Sequence, residues 1–405
     1  ASIVFVAILS AIYFADVLFS GFVLLKSLHF PPELKISDEE IDNLQEKSLP
    51  IYSVLCPLYK EAAVLPAFVE SMQELDWPKD KLDVMLLLEA DDMETLAASK
   101  VLNLPSYIRV VVVPHSFPKT KPKACNYGLA MARGEYVVIY DAEDKPDPLQ
   151  LKKVYIAFQK LGKRYGCVQC KLNYFNPTQN ILTRLFTAEY SLWFDVVLPG
   201  LQSIEGVIPL GGTSNHFRRM DLIKLNAWDP FNVTEDCDLG VRLFKEGYKT
   251  AIVDSVTLEE ANSKVKNWIR QRSRWIKGYF QTYLVHMRNP VNFFKEQGVH
   301  AIIFQLVIGM RMTFMLINPI LWAVTIAYFT AYRIVGPTIE SLFPPFIFYM
   351  AAFALIVGNF MYIYNYMIGC AKRGHYDLIK FVFLIPFYWI MASISAIMAF
   401  NQLLV

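Results

Sequence analysis

A chain of 405 residues, 54% of them apolar, has room for more than one module. Its 39 Lys and Arg nearly cancel its 37 Asp and Glu, which excludes the basic footprint of a nucleic-acid binder and an acidic tail. The charges are unevenly placed: residues 1–28 hold two and residues 299–405 hold seven, leaving 67 in the 270 residues between. That middle density, about one residue in four, is the ordinary globular value, so a soluble-type domain is bracketed by segments suited to a membrane.

From the N-terminus, Ser2 to Leu25 carries one charged residue, Asp16. A bilayer core requires roughly 20 apolar residues in helical form. The run is too long for a signal peptide and has no Lys or Arg ahead of it, so residues 1–28 are expected to be a transmembrane helix.

The middle domain, expected over residues 45–290, opens with the apolar run Pro50 to Pro57, then Tyr59-Lys60-Glu61 and a helix-like stretch to Leu75. Three more apolar runs follow. Val84–Leu88 ends in Glu89-Ala90-Asp91-Asp92, Tyr107–Val113 ends at Pro114, and Glu135–Tyr140 ends in Asp141-Ala142-Glu143-Asp144. Short apolar strands alternating with helices predict an α/β fold whose mainly parallel sheet is covered on both faces. In such sheets ligands bind beyond the carboxyl ends of the strands. Glu61, Glu89, Asp91 and the Asp141-to-Asp144 cluster each follow a different strand and are expected on one rim. Uncompensated acids repel one another, and a divalent cation removes the conflict; hard oxygen ligands of this kind suit Mg²⁺ or Mn²⁺ shared with a diphosphate. Taken singly, each acid reads equally well as a solvated loop residue or a helix cap.

Lys119, Lys121 and Lys123 form a basic cluster before Ala124-Cys125-Asn126. In Leu210-Gly211-Gly212 the glycines let backbone approach a ligand closely or mark a tight turn. Thr234-Glu235-Asp236-Cys237-Asp238 opens a helix; capping accounts for one or two acids there but not three, so one is a candidate general base. Farther on, Gln271, Arg274, Trp275 and Gly278 share one helix face. Arg suits phosphate oxygens and Trp suits the apolar side of a sugar ring. A basic helix touching lipid headgroups would explain Arg270, Arg272 and Lys277 but not Gln271 or Trp275.

Residues 312–332, 341–371 and 381–400 contain no charge, which gives about three spanning helices within 312–405. Ala301–Met310, ending at Arg311, is expected to form an interfacial helix over 291–311; a fourth spanning helix is the competing reading. Lys26, Lys372 and Arg373 orient the spans so that the middle domain and loop 372–377 face the cytosol. Five of the six Cys then fall in the cytosolic part and are expected to be reduced. Cys167 and Cys170 form a lone C-x-x-C with no second pair, read as buried strand thiols. Asp16, Asn318, Asn359 and Asn365 are polar within spans and fit either a sugar path or interhelical hydrogen bonds.

The succession Asp141-Ala142-Glu143, Thr234-Glu235-Asp236 and Gln271-Arg272-Ser273-Arg274-Trp275, followed by apolar helices, resembles the membrane-embedded family 2 glycosyltransferases, the group of cellulose, curdlan and other exopolysaccharide synthases. The resemblance covers roughly residues 50–400. It implies a Rossmann-like GT-A domain that inverts a sugar on transfer from a nucleotide-diphosphate donor, UDP by analogy, to an acceptor hydroxyl. It implies that Asp141 and Glu143 hold the divalent metal, Glu standing where Asp is usual and Asp144 being able to substitute, and that Asp236 is the catalytic base beside Glu235. It places Gln271 and Arg274 on the diphosphate and Trp275 beneath the acceptor sugar, with Tyr59, Glu61 and Lys123 as nucleotide contacts. Glu89 and Asp91 depart from the usual Asp-Asp-Gly of uridine binding. Gly212 and His216 are expected to shape the donor pocket. The implied product is a growing polysaccharide, made processively and coupled to secretion; transfer of one sugar to a lipid-linked acceptor is the alternative, and a non-catalytic membrane scaffold the alternative of another class. Implied surroundings are membrane lipids of a plasma (inner) membrane, no nucleic acid, and accessory subunits or an oligomer.

Overall fold

The computed structural model describes residues 2–29 and 33–404; residues 1 and 405, the outer ends of the first and last expected segments, lie outside them. The chain divides into a sheet unit, Pro32–Asn176 with Glu205–Ala261, and a helical unit, Ala1–Pro31, Pro177–Ile204 and Asn262–Val405. The expected domain boundary at 290 is therefore corrected: the helices Ile181–Leu192 and Val265–His286 cluster with the apolar helices rather than with the sheet. The physical reason is lateral packing, as the Arg272 guanidinium on the second helix ion-pairs with Glu189 on the first and Trp268 packs on Tyr388.

Among the described residues the sheet unit has strands β1 (Tyr52–Leu58), β2 (Leu82–Glu89), β3 (Ile108–Val113), β4 (Tyr136–Ile139), β5 (Lys145–Pro146), β6 (Tyr165–Tyr174), β7 (Asn215–Arg218) and β8 (Lys249–Glu259), in spatial order β3-β2-β1-β4-β7-β6-β8-β5. The β1, β2, β3 and β4 ladders are parallel, as continuous apolar runs buried on both faces require. The sheet as a whole is mixed, because β7 runs antiparallel between β4 and β6 and β5 runs antiparallel to β8. Side chains on one face of the sheet form a buried core that includes Tyr52, Trp77, Tyr136 and Phe158.

Register at the amino ends of the parallel strands is pinned by a buried polar junction. Asp83 on β2 accepts from Ser53 on β1 at 2.9 Å, from Arg109 on β3 at 2.8 Å and from the backbone N–H of Arg133 at 3.2 Å. The Ser53 hydroxyl in turn accepts from Gly134 N–H at 2.8 Å. With these ends tied, the carboxyl ends of β1, β2 and β4 emerge together on the opposite edge.

Among the described residues of the helical unit, four helices are long and apolar enough to cross a membrane: Ser2–His29, Val299–Thr330, Pro345–Lys372 and Tyr376–Leu404. The second changes the expected layout. Ala301–Met310 is not a separate interfacial helix but runs through a π-helical turn, Gln305–Gly309, into Met310–Thr330. What remains separate is the short helix Pro290–Gln297, broken off at Gly298, whose φ of 54° L side chains rarely adopt. Of the polar groups within these helices, Tyr13 donates to Asn318 at 2.5 Å, Tyr362 donates to Asp16 and Asn359 donates to the Leu355 carbonyl at 2.5 Å, while the buried Asn365 side-chain oxygen has no partner among the described residues. All six cysteines are buried free thiols.

A tight steric point between strands of the sheet unit yields a prediction. A Cβ on Gly134 would meet Ser53 N at 2.5 Å and Tyr136 O at 2.6 Å, both backbone. Gly134→Ala is expected to cost about 1–3 kcal/mol, seen as a lower thermal midpoint of the purified chain; an unchanged midpoint would contradict the strand spacing described.

Candidate active site

The acids at the strand ends are positioned by turns that hydrogen-bond to one another. After β1 the chain turns at Lys60, φ 60°, and its N–H donates to the Asp92 carboxylate at 2.5 Å. Asp92 also caps the helix Met93–Val101 through Thr95 N–H at 3.2 Å, and the Thr95 hydroxyl accepts from Glu61 N–H at 3.2 Å. The β1 and β2 exits are thereby locked side by side.

At this edge the basic cluster meets the acids one for one. Lys123 ion-pairs with buried Glu89 at 2.8 Å, Lys119 with Asp91, and Lys121 with Asp141 at 2.5 Å. Exposed Tyr59 lies under the ammonium groups of Lys60 and Lys119, 5.3 and 5.4 Å from its ring centre. Lys121 is the hub: it also donates to the Gly212 carbonyl at 2.7 Å. Burial works against its charge, but Asp141 and Glu235 outweigh that and hold the ammonium well above its ordinary range. A Cβ on Gly212 would stand 3.6 Å from the Asp236 carboxylate and 3.9 Å from Lys121 Nζ. Asp141, Lys121, Gly212, Glu235 and Asp236 therefore converge.

Thr234 is the residue before the helix Glu235–Lys245, and its buried hydroxyl has no partner. The three acids of that first turn diverge in role. Asp238 is held by Arg242 at 2.7 Å, and Arg242 also donates to the carbonyls of Leu225 and Ala227, closing the preceding turn. Glu235 is pushed above the carboxylate range by burial and then by Asp236; burial pushes Asp236 up to about 6, with the Cys237 N–H bond and Lys121 opposing.

Carboxylates outnumber their cation here. Asp144 is buried, accepts from Asp141 N–H at 2.7 Å and from Thr213, and leaves Oδ1 unpartnered. Burial and then Asp141 raise it well above the aspartate range. Desolvation, then Asp141 and Glu61, raise the Glu143 carboxyl, and desolvation, then Asp141 and Asp92, raise Glu61. Glu259 is an acid of this edge beyond those expected. Lys145 of β5 pairs with Leu258 of β8, so the antiparallel register continues from Asp144 towards Glu259, and burial together with Asp144, Asp141 and Glu143 raises Glu259 well above its ordinary value. The strand-end rule that singled out Glu89 and Asp141 applies equally to the run Lys249–Leu258, and Glu259 was legible by it. Among the described residues no three acids, imidazoles or thiols come close enough to chelate a cation by themselves. Asp141 and Glu143, with the orphaned Asp144 oxygen behind them, fit a hard divalent ion that completes its shell with diphosphate oxygens.

Four expected residues lie elsewhere. His216 sits wholly buried on β7, between the Tyr52 hydroxyl at 2.7 Å and the Gln150 side chain at 3.2 Å, and burial lowers its pKa to about 3. Burial and hydrogen bonds on both ring nitrogens make it a neutral core residue. Gln271, Arg274 and Trp275 belong to the helical unit. There Gln271 accepts from Asn262 at 2.9 Å, Arg274 is exposed, and Trp275 is half-buried with its ring 6.2 Å from Phe186. Arg272, expected at most to touch headgroups, is instead buried and makes paired bonds to Glu189, 2.9 Å from Nη1 and 2.5 Å from Nη2, and a 3.1 Å bond to Tyr388.

Residues 136–392 match the family model "Glycosyl transferase family group 2", and the chain belongs to that family. It is 27% identical over 235 residues to a probable glycosyltransferase, YdaM, of Bacillus subtilis, covering 57% of this chain and 56% of that protein. It is 28% identical over 245 residues to a beta-monoglucosyldiacylglycerol synthase of Nostoc sp., covering 58% and 50%. The chain thus spans about half the length of the curated relatives it matches. Its fold is that of the mannosyltransferase PcManGT of Pyrobaculum calidifontis, solved with GDP-Man and Mn²⁺: TM-score 0.58 over 92% of this chain and 98% of that one, at 18% identity.

The Arg272–Glu189 pair generates a prediction for the helical unit. Both side chains are at least 85% buried, so Glu189→Gln leaves a buried guanidinium uncompensated and is expected to cost about 3–5 kcal/mol. Thermal unfolding should show the loss, with partial recovery in Glu189→Gln/Arg272→Met; a neutral single variant would refute the pairing.

Proposed function

We propose that this family 2 glycosyltransferase moves a hexosyl unit, with inversion, from a nucleotide-diphosphate sugar to an acceptor hydroxyl held at a membrane, with Asp236 as the general base. The observation that carries the reading is the convergence of Asp141, Lys121, Gly212 and Asp236. Asp141 is ion-paired to Lys121, and Asp236, a second and independently positioned carboxylate, feels that lysine's charge without making an ion pair with it among the described residues. A divalent ion held by Asp141 and Glu143 would neutralise the departing diphosphate. Asp236, raised by burial, is a stronger base than a solvated aspartate and still deprotonated at neutral pH. Tyr59, Glu61, Glu89, Asp91 and Lys123 are assigned to the nucleotide, Gly212 and Glu235 to the sugar, and Gln271, Arg274 and Trp275 to diphosphate and acceptor as the family resemblance implies.

An acceptor anchored in the bilayer is the better supported form. The expected interfacial helix that favoured a polymer-secreting enzyme is absorbed into the helix Val299–Thr330, while the Nostoc relative is named for a glycolipid product. Insertion of the four apolar helices is supported by large apolar side chains left exposed on them, among them Phe5, Phe329, Phe346, Phe360 and Phe387. A polysaccharide acceptor is the competing outcome: incubation of membranes with single nucleotide sugars would yield a polymer instead of one lipid-linked sugar.

Asp236→Asn is expected to lower transfer by about 10²–10⁴-fold with donor affinity retained; normal turnover would remove Asp236 from the chemistry. Because the base works ionised and its folded pKa lies near 6, kcat/KM should fall as pH drops through about 6. A limb near pH 4, the value of a solvated aspartate, would count against it. Asp141→Ala should abolish the Mg²⁺- or Mn²⁺-dependent part of nucleotide binding in calorimetric titration, and unchanged affinity with metal would refute its role.

A further inference from the structure

Arg311 is the one Lys, Arg, Asp or Glu in the helix Val299–Thr330, and a charge inside an apolar helix is costly unless something meets it. Its side chain is exposed, its guanidinium lies 4.3 Å from the centre of the Trp193 ring, and among the described residues none accepts a hydrogen bond from it. Asp16, an acid within range of Arg311's charge, is buried and already bonded by the Tyr362 hydroxyl, and makes no ion pair with Arg311 among the described residues.

Depth can be read from Trp193's own turn. Two residues on, Asp195 accepts from Arg373 Nε at 2.8 Å, and its carbonyl accepts from Lys372 at 2.6 Å. Lys372 closes the apolar helix Pro345–Lys372, so Trp193 and Arg311 stand where that helix meets the headgroup layer. The length of Val299–Thr330 agrees. At about 1.5 Å per residue it is some 48 Å long, against about 30 Å of hydrocarbon, and the stretch after Arg311 alone nearly spans the core. Tryptophan is at home at this level.

We propose that Arg311, seated on Trp193, binds the phosphate of the membrane lipid that carries the acceptor. Stacking on the indole fixes the guanidinium plane and leaves its edge N–H groups to grip phosphate oxygens as a fork, which a lysine does less well. Lys372 and Arg373, the other basic groups at this level, are already held by Asp195. The inference rests on the bilayer-anchored acceptor proposed above and adds a phosphate to that lipid's chemistry.

The test uses the full chain in uncharged detergent with fluorescent phosphatidic acid as probe, a diacylglycerol of the same chains as its phosphate-free control, and inorganic phosphate as competitor. The wild type is expected to prefer the phosphate-bearing probe by about tenfold, the scale of one charge-assisted bond, with no displacement by inorganic phosphate. Arg311→Gln should erase the preference, Arg311→Lys retain part of it, and Trp193→Leu weaken it. Arg311→Gln should also raise the KM for lipid acceptor while leaving the donor KM unchanged. Equal binding of both probes by the wild type, a preference that survives Arg311→Gln, displacement by inorganic phosphate, or an unaltered acceptor KM would each overturn the proposal. The two readings fail separately: absence of nucleoside diphosphate release by the wild type refutes the transferase reading whatever the probes do.

Discussion

A single ammonium group, Lys121, stands between carboxylates that would otherwise drive one another apart. Its bond to Asp141 and its field on Glu235 and Asp236 link two stretches of chain, the β4 exit and the helix Glu235–Lys245. One monovalent cation does not balance Asp141, Glu143, Asp144, Glu235, Asp236 and Glu259. The residual repulsion shows as the upward pKa shifts of Glu143, Asp144, Glu235 and Glu259, in which neighbouring carboxylates reinforce desolvation. Such a shift in a folded acid destabilises the protein as pH rises, because the unfolded chain gives up its proton more readily. A divalent ion held there, as proposed, would relieve that penalty.

That arrangement depends on strain and polarity being kept elsewhere. The Asp83 junction ties the amino ends of β1, β2 and β3, and the Asp92 cap ties the loops at their carboxyl ends. Between these two fixed edges lies a sheet buried on both faces, in which even His216 is neutral and satisfied on both sides. The upward-shifted acids described above thus gather at the carboxyl edge. In the helical unit the same economy appears around Arg272, whose charge is matched by Glu189 and Tyr388, whereas Arg311 remains exposed on an indole.

Much of this was legible in the residues. Apolar runs ending in acids gave β1 through β4 and their rim, since a parallel strand buried on both faces cannot hide its pattern. The order of Asp141, Asp236 and Gln271 motifs carried the family. What misled was local pattern judged without partners. His216 follows two glycines and looked available, yet β7 carries it into the sheet. Arg272 looked like a headgroup residue because nothing in its own helix reveals Glu189, 83 positions earlier. Ala301–Met310 looked like a short interfacial helix because Arg311 ends its apolar run, while the backbone continues regardless of the charge.

The sequence by itself determined the division of the chain into apolar and globular material, the parallel strands and the acids that close them, because hydrophobic period and strand-end chemistry are local properties. Only the tertiary structure decided which lysine meets which acid, that Glu259 lies beside Asp144, that β7 reverses, and that Arg311 rests on Trp193. Those are pairings between residues tens to hundreds of positions apart, and chain connectivity alone does not encode which of many oppositely charged or aromatic partners will be brought within a few ångströms.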